Sequence, residues 1–139
     1  MTKDFRDLRV WQDAMRLAEH VYALAAGFPA DERYGLASQI KRAAVSVPSC
    51  IAEGNARHST ADYLRFLSMA AGSLAEMQTQ VLLASRLGFV GQVAADAFMA
   101  QHRGVSMQLQ ALRKALQRRV STESRRFHPH PPVPRSPLR

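Results

Sequence analysis

The sequence predicts an all-α protein, an antiparallel up-and-down four-helix bundle followed by a basic, proline-rich tail. Four segments between residues 7 and 122 repeat apolar residues at intervals of three and four, the spacing of one face of a helix. Short Gly- or Pro-containing connections separate them, which favours antiparallel neighbours. No segment shows the alternation typical of a strand. We therefore expect one bundle over residues 1–122 and a disordered tail over residues 123–139.

The first helix is expected to begin after Asp7, whose side chain can cap it, and to end at Gly27. Its apolar residues share one face, which we assign to packing: Leu8, Trp11, Met15, Ala18, Val21, Tyr22 and Ala25. Asp31 and Glu32 suit the start of the second helix, because carboxylates stabilise a helix N-terminus. We expect this helix to end at Gly54-Asn55.

Pro48 lies inside the second helical pattern, where a proline removes a backbone hydrogen bond and costs ~3 kcal/mol or more. We expect a kinked second helix whose serine hydroxyls satisfy the freed carbonyls. The serines belong to a polar stripe at helical spacing: Gln39, Arg42, Ser46, Ser49 and Glu53. A serine nucleophile needs a base and an orienting group, and the closest histidine in sequence, His58, lies beyond the end of the helix. A hydrogen-bonded seam between helices or subunits is the favoured interpretation, with a solvated face as the alternative.

The third helix is expected to start at Ser59 or Thr60 and to close at Gly88. It carries two apolar stripes, and a four-helix monomer offers neighbours for only part of that surface. We therefore predict a subunit interface on the second stripe, formed by Phe66, Met69, Ser73 and Met77.

The net charge of +8 is concentrated in the fourth helix, which we expect to start near Gln92, and in the tail. Residues 1–102 hold ten basic and ten acidic residues, whereas residues 103–139 hold nine basic residues against Glu123 alone. Such asymmetry favours a polyanionic partner. We therefore predict nucleic-acid binding through Arg103, Arg113, Lys114, Arg118, Arg119, Arg125 and Arg126.

Several short motifs resemble those of the bacterial four-helix-bundle proteins encoded in intervening sequences of 23S ribosomal RNA genes. They are the VWQ start at residues 10–12, "FPADERYGL" at 28–36, "KRAAVSVP" at 41–48 and "GSLAEMQT" at 72–79. The resemblance implies an up-and-down bundle that assembles as a ring-like homopentamer. More distantly, the sequence is similar to the accessory protein of diversity-generating retroelements, a basic pentameric bundle that binds nucleic acid and a reverse transcriptase.

The sequence departs from the family pattern at Cys50, where asparagine is more usual, and at Lys41, which replaces the first arginine of a pair. Neither change threatens the fold. The proline-rich tail lies outside the resemblance. What the resemblance implies is therefore an architecture and a class of partner, and no catalytic or binding residue.

We expect no enzyme activity, metal or cofactor. The sequence contains no Glu-x-x-His pair, no phosphate-binding glycine loop and no zinc-ligand spacing. Cys50, the single cysteine, cannot form an internal disulfide, and no apolar stretch is long enough to span a membrane. These features indicate a cytoplasmic protein.

The sequence thus predicts a homo-oligomer, a pentamer by resemblance, that binds nucleic acid, with structured RNA or a ribonucleoprotein favoured. The alternative is a scaffold whose ring docks a protein partner without binding nucleic acid. The P-x-x-P spacings of "PHPPVPRSPLR" could serve such recruitment.

Overall fold

The structure, a computed structural model, describes residues 4–127, which form four α-helices and no strand. The helices are α1 (Arg9–Ala26), α2 (Leu36–Asn55), α3 (Thr60–Arg86) and α4 (Gln92–Phe127). Single 3-10 turns at Phe5–Asp7 and Ala30–Glu32 precede α1 and α2. The all-α prediction is confirmed.

The ends of α3 follow the sequence signals. The Ser59 hydroxyl accepts a 3.0 Å hydrogen bond from the backbone N–H of Asp62 and caps the first turn. At the other end Gly88 takes a φ of 79°, the left-handed conformation that glycine adopts without steric cost. The backbone N–H of Phe89 then donates to the carbonyl of Ala84 at 2.8 Å, which closes the helix as a Schellman motif does.

The first two helices start later than predicted. Asp7 lies in the 3-10 turn, and Leu8 precedes α1 without a side-chain cap. Ala30–Glu32 forms its own short turn, and α2 begins only at Leu36. A carboxylate still serves the start of α2, because Glu32 Oε2 accepts a 3.0 Å hydrogen bond from the Leu36 N–H.

Hydrogen bonds between helices establish the antiparallel arrangement. Asp13 and His20 of α1 meet Gln108 and Gln101 of α4, so residue numbers rise in α1 as they fall in α4. Between α3 and α4, Arg113 reaches Ser68 and His102 reaches the Leu74 carbonyl at 2.7 Å. Between α2 and α3, Ser46 meets Ser73 and Asn55 meets Tyr63. The described chain is therefore an up-and-down bundle.

The buried face of α1 differs from the predicted one. Val10, Ala14 and Leu17 are buried along with the correctly assigned Ala18, Val21 and Ala25. Met15 and Tyr22 are exposed, and Trp11 is only partly buried. Apolar residues cover two adjacent arcs of α1, and the bundle packs one arc while leaving most of the other uncovered.

Pro48 is buried inside α2, which continues through it to Asn55. The kink predicted there stays a prediction. Near the end of α2, Gly54 allows a close approach to α3, since a Cβ atom at Gly54 would lie 2.9 Å from Tyr63 Cδ1 and 3.0 Å from Phe66 Cβ.

The fourth helix extends beyond the last residue that packs against the rest of the bundle. Leu116 is its last buried residue, and residues 117–126 are exposed apart from the half-buried Val120. We call residues 117–127 the overhang; at 1.5 Å per residue it is about 16 Å long. The helix extends five residues beyond the predicted boundary at 122, and the rest of the predicted disordered tail, 128–139, lies outside the described residues.

Candidate nucleic-acid interface

Six of the seven predicted binding residues lie in the last four turns of α4. Lys114, Arg118, Arg119, Arg125 and Arg126 are exposed, and Arg113 is half-buried. Arg103 lies ten residues earlier, about 15 Å away along the helix axis. The structure therefore brings together all but one of the predicted cations.

The five exposed cations are free of intramolecular ion pairs within the part of the chain that the structure describes. Arg118, Arg119 and Arg126 line one shallow depression together with Thr122 and Glu123. Glu123 is the one acidic residue of the overhang. Since none of these five side chains forms an ion pair with a carboxylate of residues 4–127, their charges are available to an external anion.

Arg113 is held differently. Its Nη2 donates a 3.3 Å hydrogen bond to the Ser68 hydroxyl of α3, and its Nε is buried with no hydrogen-bond partner among residues 4–127. The side chain thus lies against α3, and we assign it to joining the two helices as much as to binding. Sequence spacing alone could not separate it from its exposed neighbour Lys114.

The same end of the bundle carries a cation that sequence analysis missed. The turn between α2 and α3 lies at the same end of the bundle as the overhang because the helices alternate in direction, and Arg57 in this turn is exposed. Its guanidinium carbon lies 4.5 Å from the centre of the Phe66 ring, a cation-π contact that positions the side chain. Only the tertiary arrangement places Arg57 with the α4 cations.

Other arginines at this end are already paired with carboxylates. Arg6 binds Asp4, Arg9 and Arg16 reach Asp13, and Arg65 reaches Asp62. The hydrogen bond from Arg6 lowers the pKa of Asp4 to about 2. These pairs offset charge locally, so among residues 4–127 the cations without an ion pair at this end of the bundle are those of α4 and Arg57.

The structure corrects the predicted oligomer interface on α3. Phe66 and Met77 are buried inside the single chain, where they pack within the bundle and offer no side-chain surface to a second subunit. Met69 is exposed, and Ser73 donates a 2.9 Å hydrogen bond to the Ser46 hydroxyl. The second stripe of α3 is apolar largely because α2 covers it.

Within the polar stripe of α2, Ser46 alone bonds to another helix among the described residues, whereas Gln39, Arg42, Ser49 and Glu53 are exposed. The seam interpretation therefore applies to Ser46, and the rest of the stripe is a solvated face. Ser46 accepts a hydrogen bond from Ser73 and also lies 3.6 Å from the Cys50 sulfur, so its partners are side chains and not the freed carbonyls that the sequence predicts. Cys50 is buried. Within the described residues, no group of three His, Cys, Asp or Glu side chains is placed to hold a metal ion.

The model of the family described as 23S rRNA-intervening sequence protein matches residues 6–111. No curated protein matches the chain. Among residues 4–127, no helix combines the length and the apolar character needed to cross a membrane. The family match ends before Arg113, so five exposed cations of α4 lie beyond it.

Proposed function

Since the chain belongs to the 23S rRNA-intervening sequence protein family, we propose that it is a non-enzymatic, cytoplasmic homo-oligomer that binds nucleic acid, with structured RNA or a ribonucleoprotein as the favoured ligand. The observation that supports this most directly is the set of five exposed, unpaired cations near and on the overhang.

The chemistry of the overhang favours phosphate contact over base reading. Arginine and lysine bind phosphate oxygens, and each contact releases a counterion from the nucleic acid. Phe127 is the one aromatic residue between positions 113 and 127, so the cations are not accompanied by a series of aromatic side chains on which successive bases could stack. Binding through this surface is therefore expected to depend on salt and only weakly on sequence.

Assembly would strengthen a weak contact. The resemblance noted above implies a pentamer, and five overhangs held on one particle would raise the effective concentration of each after the first had bound. Arg57 would extend the same cationic end toward α3, while Arg103 lies too far along α4 to join it.

The test is a fluorescence anisotropy titration of the intact protein against a structured RNA, a single-stranded RNA and a DNA duplex at low salt. We expect saturable binding that Lys114→Glu with Arg118→Glu weakens strongly. The matched control is Arg33→Glu with Arg86→Glu, which reverses two exposed charges at the opposite end of the bundle and should bind like the parent.

Absence of saturable binding by the intact oligomer would overturn the proposal. Equal weakening by the two pairs of substitutions would show that net charge, and not the overhang, governs binding. Recovery of a stoichiometric protein after nuclease treatment, together with no RNA binding, would instead favour the scaffold function.

A further inference from the structure

An apolar groove runs along the outer side of α1 and α2, and no other part of the described chain covers it. Its walls include Trp11, Met15 and Tyr22 from α1 and Val45 and Pro48 from α2, and its volume is about 610 Å³. Met15 is 37% exposed, and Tyr22 and Val45 are each 45% exposed. Glu19 is the one charged side chain among its lining residues. Grouped apolar side chains that stay exposed in a groove are the kind of surface at which a partner can dock.

The fourth helix carries an exposed line of mostly small residues. Six exposed residues, spaced alternately by four and three, form a line that we call the outer ridge: Val93, Ala97, Ala100, Gly104, Met107 and Ala111. On a helical wheel this line lies opposite the buried Phe98, Val105 and Leu109. Four of its six members are alanine or glycine, so another backbone can approach closely. Arg103 flanks the ridge and is exposed.

We propose that the outer ridge of one copy of this chain seats in the α1–α2 groove of a second copy, an inference that rests on the oligomeric part of the proposed function and names its contact surfaces. A ridge of small residues fits between two helices whose large side chains project, as a knob fits a hole. The charges of the two surfaces are also complementary, because the acidic Glu19 lies in the groove and the basic Arg103 lies beside the ridge. Neither forms an ion pair within residues 4–127.

The two surfaces lie on different sides of the bundle, so the contact is head-to-tail. Each copy uses its ridge toward one neighbour and its groove toward the other, and repetition produces a closed ring or an open filament. Arg103 then belongs to the subunit contact, which accounts for its separation from the other cations of α4. The overhang lies beyond the ridge and stays available to nucleic acid.

The test uses one substitution on each surface, Val45→Glu in the groove and Ala100→Glu on the ridge. Both positions are exposed in the single chain, so both variants should keep their helicity in circular dichroism. We expect each to lower the mass measured by sedimentation velocity to that of a monomer. Ala23→Glu, an exposed position on α1 outside the groove, is the control and should keep the parent mass.

Mixing the two variants separates a head-to-tail contact from a symmetric one. Val45→Glu retains an intact ridge and Ala100→Glu an intact groove, so an equimolar mixture should form a one-to-one dimer and nothing larger. A symmetric groove-to-groove contact predicts that Ala100→Glu keeps the parent mass and that the mixture gives no such dimer.

Two further measurements follow the contact directly. Trp11 is the single tryptophan, so its emission should shift to longer wavelength in Ala100→Glu although the substitution is on another helix. Glu19→Arg and Arg103→Glu should each weaken assembly, and the double variant should restore it.

A monomeric parent would remove both this contact and the oligomeric part of the proposed function, whereas RNA binding would still be decided by its own titration. An oligomeric parent whose mass and Trp11 emission survive both substitutions would overturn the contact alone.

Discussion

Gln108 on α4 donates a 2.6 Å hydrogen bond to the carboxylate of Asp13 on α1. Arg16 binds the same carboxylate at 2.6 Å, and Arg9 lies 3.7 Å from it. The hydrogen bond from Gln108, followed by the bond and charge of Arg16 and the charge of Arg9, lowers the pKa of Asp13. The hydrogen bond that joins the first and last helices at this position therefore depends on the ionisation of a single carboxylate, and so on pH.

Asp13→Asn should destabilise the protein at neutral pH by about 1 kcal/mol, the scale of one hydrogen bond to a charged group that is partly exposed. Because the folded-state pKa is lowered, the stabilisation is present above the unfolded pKa of about 3.9 and is lost as the pH falls through the folded value. Urea denaturation at neutral and acidic pH measures the difference between variant and parent.

That difference should shrink in acid. Asp31→Asn is the control, since Asp31 is exposed and has no hydrogen bond or ion pair among the described residues. A loss of unfolding free energy of the same size at every pH would show that the Asp13 side chain stabilises the protein through its shape and not through its charge.

Gly54→Ala should destabilise the protein by ~1–3 kcal/mol, the cost of overpacking, although alanine is the better helix former. The new Cβ would lie 2.9 Å from Tyr63 Cδ1 and 3.2 Å from the Tyr63 carbonyl oxygen. Gly72→Ala in the middle of α3 is the matched control, because nothing lies within 4 Å of its new Cβ. It should raise stability by ~0.5–1 kcal/mol. Thermal melts giving both substitutions the same sign would contradict the close approach of α2 to α3.

Glu32→Ala should lower stability by ~1 kcal/mol because the N–H of Leu36 loses the carboxylate that caps α2. Asp31→Ala removes a neighbouring carboxylate that forms no hydrogen bond or ion pair among the described residues, and it should be nearly neutral. Chemical denaturation of the two variants side by side checks the difference, and equal losses would assign the effect to the charge of the 3-10 turn.

Deleting residues 124–139 removes four arginines per subunit, two of them on the overhang. If these arginines neutralise phosphates, the slope of log K against log salt should flatten by ~0.7 per lost contact for single strands and ~0.9 for duplex DNA. The truncated protein should keep its oligomeric mass, since it loses no buried residue of the described chain. An unchanged slope would place the binding surface elsewhere.

Sequence reasoning succeeds where a signal is local. The caps at Ser59 and Gly88 depend on residues within one turn, so the ends of α3 are predictable. Which arc of a broadly apolar helix faces the core depends on neighbours that the pattern does not contain. For that reason Met15 and Tyr22 were assigned to packing and are exposed.

The candidate sites divide in the same way. The charge of α4 is visible in the sequence, but the pairing of Arg113 with Ser68 and the placement of Arg57 need the fold. His102 shows most clearly what the sequence does not reveal. A histidine is expected on a polar surface, but this one is buried in the core and bonds to the Leu74 carbonyl. Phe66 and Met77 are the opposite case, because the sequence predicts that they contact a second subunit, whereas α2 of the same chain covers their stripe.

The overhang has a consequence for amide hydrogen exchange along α4. Isolated helices shorter than about 12–15 residues are marginal in water, and the overhang has no neighbouring helix to hold its backbone hydrogen bonds. Arg125 and Arg126 in the last turn suit the negative end of the helix dipole, but that effect is small. Amides near Leu109 should therefore exchange only when the bundle opens, and those beyond Arg118 by fraying. A bound phosphate backbone would slow amide exchange in the overhang selectively, because the ligand would stabilise the last turns of the helix to which it binds.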